Sequence, residues 1–313
     1  MACQQINPPT QNNCYPVCIF GYKRANKLEN CLDALLKCPR AEYTNVYIFL
    51  DGPKTENERC DINLVHAVAK SYVKAGFASC HIKIRKSNIG LANSVISGVS
   101  EVLVDNKAVI VVEDDLLPTK DFLIYMNTCL NKYAHDKSVG SVSGFGYKLY
   151  LRGASSIYFH GRPNTWGWGT WKDRWSEVDW EIDDTQFIRS DKFKRKFNTF
   201  GGQDLHRMLI AYLDQRIDSW GIRWAYHHYV KNLKAVSPVY SKIYNDGYGD
   251  DGTNCNANSI KPDASYVIEE KLMLPSNTDL KALYTAQVKW QHSNFLKVIK
   301  YIIKRCKSIF HEN

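Results

Sequence analysis

Apolar and polar positions alternate along the first 120 residues in a way that predicts strands separated by helices. Short apolar runs at residues 17–20, 46–50, 81–84 and 108–112 are typical of strands buried on both faces. Leucines and cysteines at helical spacing follow the first run, over about residues 26–38. This β-α-β-α-β-α-β order predicts an α/β fold with a mostly parallel sheet flanked by helices and right-handed crossovers.

The fourth predicted strand runs directly into three consecutive carboxylates, Glu113, Asp114 and Asp115. Acidic side chains are seldom buried without a partner, so the cluster is expected at an open strand end, where α/β sheets bind ligands. Three hard oxygen donors favour a divalent cation, Mg²⁺ or Mn²⁺. The alternative is a solvated acidic turn, since Pro118 and Asp121 soon open a helix. The fully apolar strand before the acids favours the ligand site.

The composition fits a cytosolic enzyme. A chain of 313 residues can bury a substantial core, and its net charge of +9 includes basic runs at residues 192–196 and 297–307. No nucleic-acid motif accompanies this charge, so anionic lipid and a diphosphate substrate are the better partners. The polar first 15 residues indicate neither a secretory signal nor an anchor. Ten cysteines without Cys-x-x-Cys spacing are expected to be free thiols in a reducing compartment.

Four motifs carry a resemblance to a known family. Gly21-Tyr22-Lys23-Arg24 follows the first strand, Asp51 ends the second, and Asn88-Ile89-Gly90-Leu91 opens the helix before the Val-Val-Glu-Asp-Asp run. In this order they resemble nucleotide-sugar glycosyltransferases of the GT-A fold, above all the branch of N-acetylglucosaminyltransferase I and bacterial surface-polysaccharide transferases of the family 2 type. The resemblance covers about residues 15–255. No G-x-G-x-x-G or Walker A sequence occurs, so phosphate must be held by a metal and basic side chains.

The resemblance implies that the ends of the first three strands bind the donor nucleotide. Arg24 is expected to contact phosphate or ribose, and Asp51 to accept a hydrogen bond from uracil. Asn88 is expected among the residues that contact the nucleotide sugar. From the residues alone, Arg24 could equally be a surface arginine at a helix start, and Asp51 could belong to an Asp-Gly turn.

The same resemblance separates the three acids by role. Asp115 matches the carboxylate that binds the metal. Glu113 and Asp114 would then contact the donor sugar and the ribose, or they would only orient Asp115.

Tryptophan is concentrated in the second half, where seven of the eight residues lie between positions 166 and 224. Residues 164–172 resemble a tryptophan-glycine motif of the bacterial members. Ring stacking on sugars makes Trp166, Trp168 and Trp220 candidates for contact with the acceptor. The alternative is that most of these rings belong to the core.

The segment that starts at Asp218 resembles the family segment that bears the catalytic base. Gly221 stands where many relatives have aspartate, which leaves Asp218 as the candidate base. The alternative for Asp218 is the N-cap of a helix that runs to about residue 232. Residues 245–254 resemble a glycine-rich loop of the bacterial members, with Asn254 in place of the usual histidine, and they are predicted to form a mobile lid.

The C-terminal residues 293–313 combine an apolar helical face with flanking lysines. This pattern suits a helix that lies on an anionic membrane surface, or one that packs on the domain.

Together these features predict a metal-dependent inverting glycosyltransferase that moves a sugar from a UDP-sugar to a saccharide, expected to be lipid-linked, in bacterial surface-glycan synthesis. We expect a nucleotide-sugar half over residues 1–120, an acceptor half over 121–265 and an extension over 266–313, in a cytoplasmic protein that associates with the inner membrane. A nucleotidyltransferase should carry a glycine-rich phosphate loop after the first strand, which is absent. A non-catalytic nucleotide-sugar or glycan-binding module is the other alternative, favoured by Gly221 and Asn254.

Overall fold

The computed structural model describes residues 3–6, 14–149, 155–247, 264–269 and 271–275. The strands are β1 (Cys3–Ile6), β2 (Val17–Gly21), β3 (Asn45–Leu50), β4 (Ser79–Ile84), β5 (Ala108–Glu113), β6 (Leu116–Pro118), β7 (Val139–Ser143), β8 (Ile157–His160), β9 (Trp168–Trp171), β10 (Lys234–Pro238), β11 (Ile243–Asn245) and β12 (Leu272–Pro275). The α-helices are α1 (Ala25–Leu36), α2 (Arg59–Ser71), α3 (Leu91–Leu103), α4 (Phe122–Lys132), α5 (Lys172–Trp175), α6 (Asp191–Gly201), α7 (Leu205–Leu213) and α8 (Trp220–Val230).

Within the described residues, the main sheet has eight strands in the order β4-β3-β2-β5-β9-β7-β10-β8. The four strands β4, β3, β2 and β5 run parallel to one another, and β7 runs parallel to β10. Strand β9 runs antiparallel to β5 and β7, and β8 runs antiparallel to β10. The predicted α/β class, with a mostly parallel sheet flanked by helices, is confirmed. The sheet includes strands from both of the predicted halves.

The first half folds as its apolar pattern predicts, because β2 and β5 are buried on both faces. Val17 and Ile19 pack with the leucines of α1 on one face, and Cys18 and Phe20 pack with α3 on the other. A parallel strand that is covered by helices on both sides has apolar residues at successive positions, because both of its faces are buried. Helix α1 ends at Leu36, before Pro39, rather than at the predicted residue 38.

The second half of the tryptophan-glycine motif, Trp168–Trp171, forms the central strand β9. β9 pairs with β5 and β7 and is buried along its whole length. A Cβ at Gly169 would lie 2.8 Å from the backbone oxygen of Val109, so this glycine is needed for close strand packing.

Two short antiparallel pairs lie beside the main sheet. β1 pairs with β12, and β6 pairs with β11 so that Leu116 lies opposite Asn245. The β6–β11 pair brings the chain after β11 back to the acidic end of β5. No helix in the described part of the chain is long and apolar enough to cross a membrane. The predicted amphipathic segment 293–313 lies outside the described residues.

Candidate active site

The carboxyl ends of β3, β2 and β5 lie side by side and place the predicted donor residues at one edge of the sheet. The Asp114 N–H donates to the oxygen of Phe20 (3.0 Å), and the Asp51 N–H donates to the oxygen of Gly21 (3.2 Å). The crossover from β2 leads to β3 on one side, while β5 lies on its other side. A crevice at such a switch of strand order is where open α/β sheets bind ligands.

Arg24 spans two of the three acids from the turn between β2 and α1. Its guanidinium forms a short ion pair with Asp114, and its Nη1 lies 2.9 Å from Oδ2 of Asp115. Because Asp114 is almost fully buried, it needs this cation in place of water. The predicted phosphate- or ribose-binding arginine is thus also the counter-ion of the acidic cluster.

Burial and mutual repulsion divide the charge unequally among the acids. Burial raises the pKa of Glu113 to about 8, and the nearby charges of Asp115 and Asp114 add to the shift. Burial also raises the pKa of Asp114 to about 6, although Arg24 pulls it down. Burial lowers the pKa of Arg24, but the two aspartates more than offset this and hold it above its ordinary value. At neutral pH Glu113 is therefore mostly protonated, whereas Asp114 is mostly ionised.

Asp51 orders the loop before α3. Its carboxylate accepts hydrogen bonds from the N–H groups of Ile89 (3.1 and 3.2 Å) and Gly90 (3.1 Å). Since α3 has no acidic residue in its first turn and no side-chain N-cap, Asp51 supplies the acceptor from the neighbouring strand. The side chain of Asn88 closes the same loop by donating to the oxygen of Gly52 (3.3 Å) and accepting from the N–H of Gly90 (3.1 Å).

The loop after β11 lies against Asp115. The Asp246 N–H donates to the backbone oxygen of Asp115 (2.8 Å), and a Cβ at Gly247 would clash with Oδ2 of Asp115. Only glycine allows this approach, because Arg24 holds the Asp115 carboxylate in place. The described part of the predicted lid, residues 245–247, therefore forms one wall of the acidic site, while residues 248–254 lie outside the described residues.

Lys27 is a site residue that the sequence analysis missed. Its ammonium, on the first turn of α1, donates to the carboxylate (2.6 Å) and the backbone oxygen (2.9 Å) of Asp246. The available signal was its spacing of three residues from Arg24, which places both cations on one face of the helix. We use the name acidic site for Glu113, Asp114, Asp115 and Asp246 with these two cations.

Asp218 precedes α8, and its carboxylate lies 2.8 Å from Nη2 of Arg223. The alternative N-cap role for Asp218 is wrong, because the hydroxyl of Ser219 accepts the N–H of Ile222 and caps the helix. The Asp218 side chain remains 59% exposed. A Cβ at Gly221 would meet the methyl group of Thr165 at 3.5 Å, an ordinary contact. Gly221 is therefore not required by packing.

Two of the three predicted acceptor tryptophans are core residues. Trp168 and Trp220 are only 1% and 5% exposed, and their rings stack on each other 5.0 Å apart, with Trp175 and Trp224 beside Trp168. This burial leaves them no open face for a sugar, as the core alternative predicts. Trp166 is partly buried, with its ring edge-to-face on Phe145 at 4.7 Å.

The acidic site fits a cation that a substrate helps to bind. Among the described residues, no group of three or more histidine, cysteine, aspartate or glutamate side chains is arranged to hold a metal ion. Mg²⁺ commonly binds through one or two carboxylates together with substrate phosphates. Asp115 offers such a carboxylate, since only one of its oxygens is engaged by Arg24 in the part of the chain that the structure describes.

Comparisons with known proteins give structural similarity alone. No model of a protein family matches the chain, and no curated protein sequence matches it. The structure is similar to the mannosyltransferase PcManGT from Pyrobaculum calidifontis in complex with GDP-Man and Mn²⁺, with 17% identity and a TM-score of 0.32 over 44% of this chain and 37% of that one. It is also similar to S. aureus TarS 1-349, with 9% identity and a TM-score of 0.45 over 75% of this chain and 60% of that one.

It is also similar to GalNAc-T7 with UDP, GalNAc and Mn²⁺, with 8% identity and a TM-score of 0.49 over 75% of this chain and 45% of that one. The chain thus spans between about a third and three fifths of the length of these three structures. With TM-scores below 0.5, none of these alignments bears on the function. The fold is assigned from the sheet topology described above.

Proposed function

We propose that this chain is a metal-dependent inverting glycosyltransferase of the GT-A type that uses a UDP-sugar donor. The observation that carries the proposal is the charge of the acidic site at the switch point of the sheet. The carboxylates of Asp114, Asp115 and Asp246 face two cations, Arg24 and Lys27. A diphosphate meets surplus negative charge there, so a divalent cation held by Asp115 would supply the positive charge that diphosphate binding needs.

The donor assignments follow the strand ends. Asp115 would hold Mn²⁺ or Mg²⁺, which supplies charge neutralisation for the departing diphosphate when bound. A carboxylate can accept about four hydrogen bonds. The Asp51 carboxylate accepts the N–H groups of Ile89 and Gly90 in the loop before α3, so it can accept one further hydrogen bond. We assign that capacity to the uracil N–H. Arg24 contributes positive charge beside the phosphates, and Asn88, Glu113 and Asp114 shape the same pocket.

In the proposed reaction an acceptor hydroxyl attacks the anomeric carbon from the face opposite the diphosphate. The new C–O bond forms as the bond to the phosphate oxygen breaks, and the diphosphate leaves with the electron pair. Asp218 accepts the proton of the hydroxyl, for which its exposed carboxylate is accessible. Trp166 remains the candidate for stacking against the acceptor.

Binding measurements test the donor part of this proposal. A thermal-shift panel of UDP-, GDP- and CMP-sugars, with and without Mn²⁺, should show stabilisation by UDP-sugars only when the metal is present. A ligand at a hundredfold excess over its dissociation constant stabilises the folded state by about 2.7 kcal/mol. Stabilisation by every nucleotide alike, or by none, would contradict a uridine-specific donor site.

Replacing Asp218 by asparagine tests the base. The substitution keeps the size of the side chain but removes its ability to take a proton, so turnover should fall at least about a hundredfold with donor affinity nearly unchanged. Asp184→Asn, which removes an exposed carboxylate paired with Arg189, is the matched control. Transfer within a few-fold of the original rate would place the base elsewhere, with Asp246, Asp250 and Asp251 next to be tested.

A non-catalytic nucleotide-sugar or glycan-binding module is the second candidate function. Gly221, where relatives carry an aspartate, and the ion pair between Asp218 and Arg223 favour it. Two results together would support the binding module: calorimetry that detects UDP-sugar binding, and activity assays over days that detect neither sugar transfer nor donor hydrolysis.

For the acceptor we propose a lipid-linked saccharide of a bacterial surface glycan, reached from the cytoplasmic face of the membrane. The support is the basic amphipathic pattern of residues 293–313. Each basic residue near an anionic surface contributes about 1 kcal/mol. Removing this segment should therefore release the protein from anionic vesicles in co-sedimentation without changing activity on a soluble acceptor. Equal vesicle binding with and without the segment would contradict the membrane proposal. A lower melting temperature after truncation would instead indicate a helix that packs on the domain.

A further inference from the structure

Lys27 belongs to the acidic site, but the donor assignments above give it no contact with the donor. Its side chain is 20% exposed, and among the described residues its ammonium bonds only to Asp246, through the carboxylate and the backbone oxygen. An ammonium group has three donors, and the described residues engage two of them. The Asp246 side chain is 34% exposed, so solvent screens its ion pair with Lys27.

The position of Lys27 relative to Asp115 is fixed by short links. Asp246, its partner, donates its own N–H to the backbone oxygen of Asp115 (2.8 Å). Arg24, one helical turn earlier, lies 2.9 Å from the carboxylate of Asp115 through its Nη1. Lys27 is therefore linked through Asp246 to the residue whose carboxylate Arg24 contacts.

The loop that carries Asp246 does not depend on the ion pair for its shape. The Gly247 N–H donates to the side-chain oxygen of Asn245 (2.7 Å), and β11 holds the start of the loop against β6. The Asp246 side chain can therefore leave Lys27 while the backbone stays in place against Asp115.

We propose that Lys27 binds a phosphate oxygen of the donor diphosphate, and that donor binding displaces the Asp246 carboxylate from the ammonium. This inference rests on the proposed nucleotide-sugar function. It adds Lys27 to the donor-binding residues and adds the replacement of the Asp246 carboxylate by the diphosphate on the Lys27 ammonium. No covalent bond changes in the exchange; one charge-assisted hydrogen bond replaces another. The Asp246 carboxylate and the diphosphate then compete for the same ammonium group of Lys27.

The exchange makes opposite predictions for the two partners. Lys27→Met should weaken UDP binding in the presence of Mn²⁺ about tenfold, the size of one lost hydrogen bond between charged groups, and leave uridine binding unchanged. Asp246→Asn should strengthen UDP binding several-fold, because the competing charge is gone. In the Lys27→Met background, Asp246→Asn should have no further effect, and Lys27→Arg should retain most of the affinity.

Calorimetry with uridine, UMP, UDP and inorganic pyrophosphate decides the proposal. Lys231→Met, which removes an exposed lysine paired with Glu177, is the control for loss of one positive charge. Weaker binding of UDP in both Lys27→Met and Asp246→Asn, with lower melting temperatures, would overturn the exchange and leave a structural ion pair. Pyrophosphate that binds in a Lys27-dependent manner while UDP does not bind would refute the uridine donor alone. A chain that binds neither UDP nor pyrophosphate would refute both.

Discussion

Asp115→Ala should abolish the metal dependence of UDP binding while the protein stays folded. Asp115 is the acidic-site carboxylate that combines partial exposure with an oxygen left free by Arg24 in the described structure. Removing it leaves Asp114 paired with Arg24, so the buried charge remains neutralised. We expect UDP affinity in the presence of Mn²⁺ to fall by at least about a hundredfold, which corresponds to roughly 2.8 kcal/mol.

The measurement is calorimetric titration with UDP in Mn²⁺ and in chelator, on the original protein and the variant. Asp184→Ala is the control, because it removes an exposed carboxylate that is paired with Arg189. The melting temperature of Asp115→Ala should stay within a few degrees of the original. Undiminished enhancement of UDP binding by Mn²⁺ in Asp115→Ala would remove this residue from the metal site.

The strands that position this site could be predicted because their sequence pattern and their environment agree. β2 and β5 are buried on both faces, so every residue of the run is apolar, and the run stops where the chain reaches the open edge at Glu113. The polar residues that follow such a run must lie near solvent or a partner. Proximity of Asp51, Arg24 and the three acids then follows from parallel strand order.

The tryptophan-glycine motif was harder to interpret because the same residues suit two environments. Tryptophan rings stack on sugars and also fill cores, and glycine permits close approach of either a ligand or another strand. In β9 the ring of Trp168 lies against Trp175, from the short helix that follows the strand, and against Trp220 and Trp224 of α8, about 50 positions further along the chain. No local period distinguishes these possibilities, so the ligand interpretation was wrong for Trp168 and Trp220.

The pairing of Lys27 with Asp246 could not be predicted from the sequence, since 219 positions separate the two residues. Their contact depends on the register of β6 with β11, which places Asn245 opposite Leu116 and so brings Asp246 to Asp115. Strand β11 has only three residues, too few for a recognisable alternation. The register becomes visible only in the folded chain.

Lys242 immediately precedes β11 and is fully buried, with all three ammonium donors engaged. It donates to Asp121 (2.7 Å), Glu269 (2.8 Å) and the backbone oxygen of Val267 (3.0 Å). Asp121 itself is almost fully buried and also accepts the N–H of Glu269 (2.9 Å). This network joins the start of α4, the segment 264–269 and the strand that carries the Asp246 loop.

Lys242→Met should therefore destabilise the protein by about 3–5 kcal/mol, because it leaves the buried Asp121 carboxylate without its cation. Denaturant unfolding monitored by circular dichroism measures the change, and Lys231→Met, at an exposed ion pair, should stay within about 0.5 kcal/mol of the original. Adding Asp121→Asn to Lys242→Met should recover part of the loss, since the uncompensated charge is then removed. If Lys242→Met lowers the free energy of unfolding by less than about 1 kcal/mol, the cost of burying Lys242, Asp121 and Glu269 is about equal to their mutual attraction. Because β11 also sets the wall of the acidic site, we expect UDP affinity to fall in Lys242→Met even under conditions where the variant is fully folded.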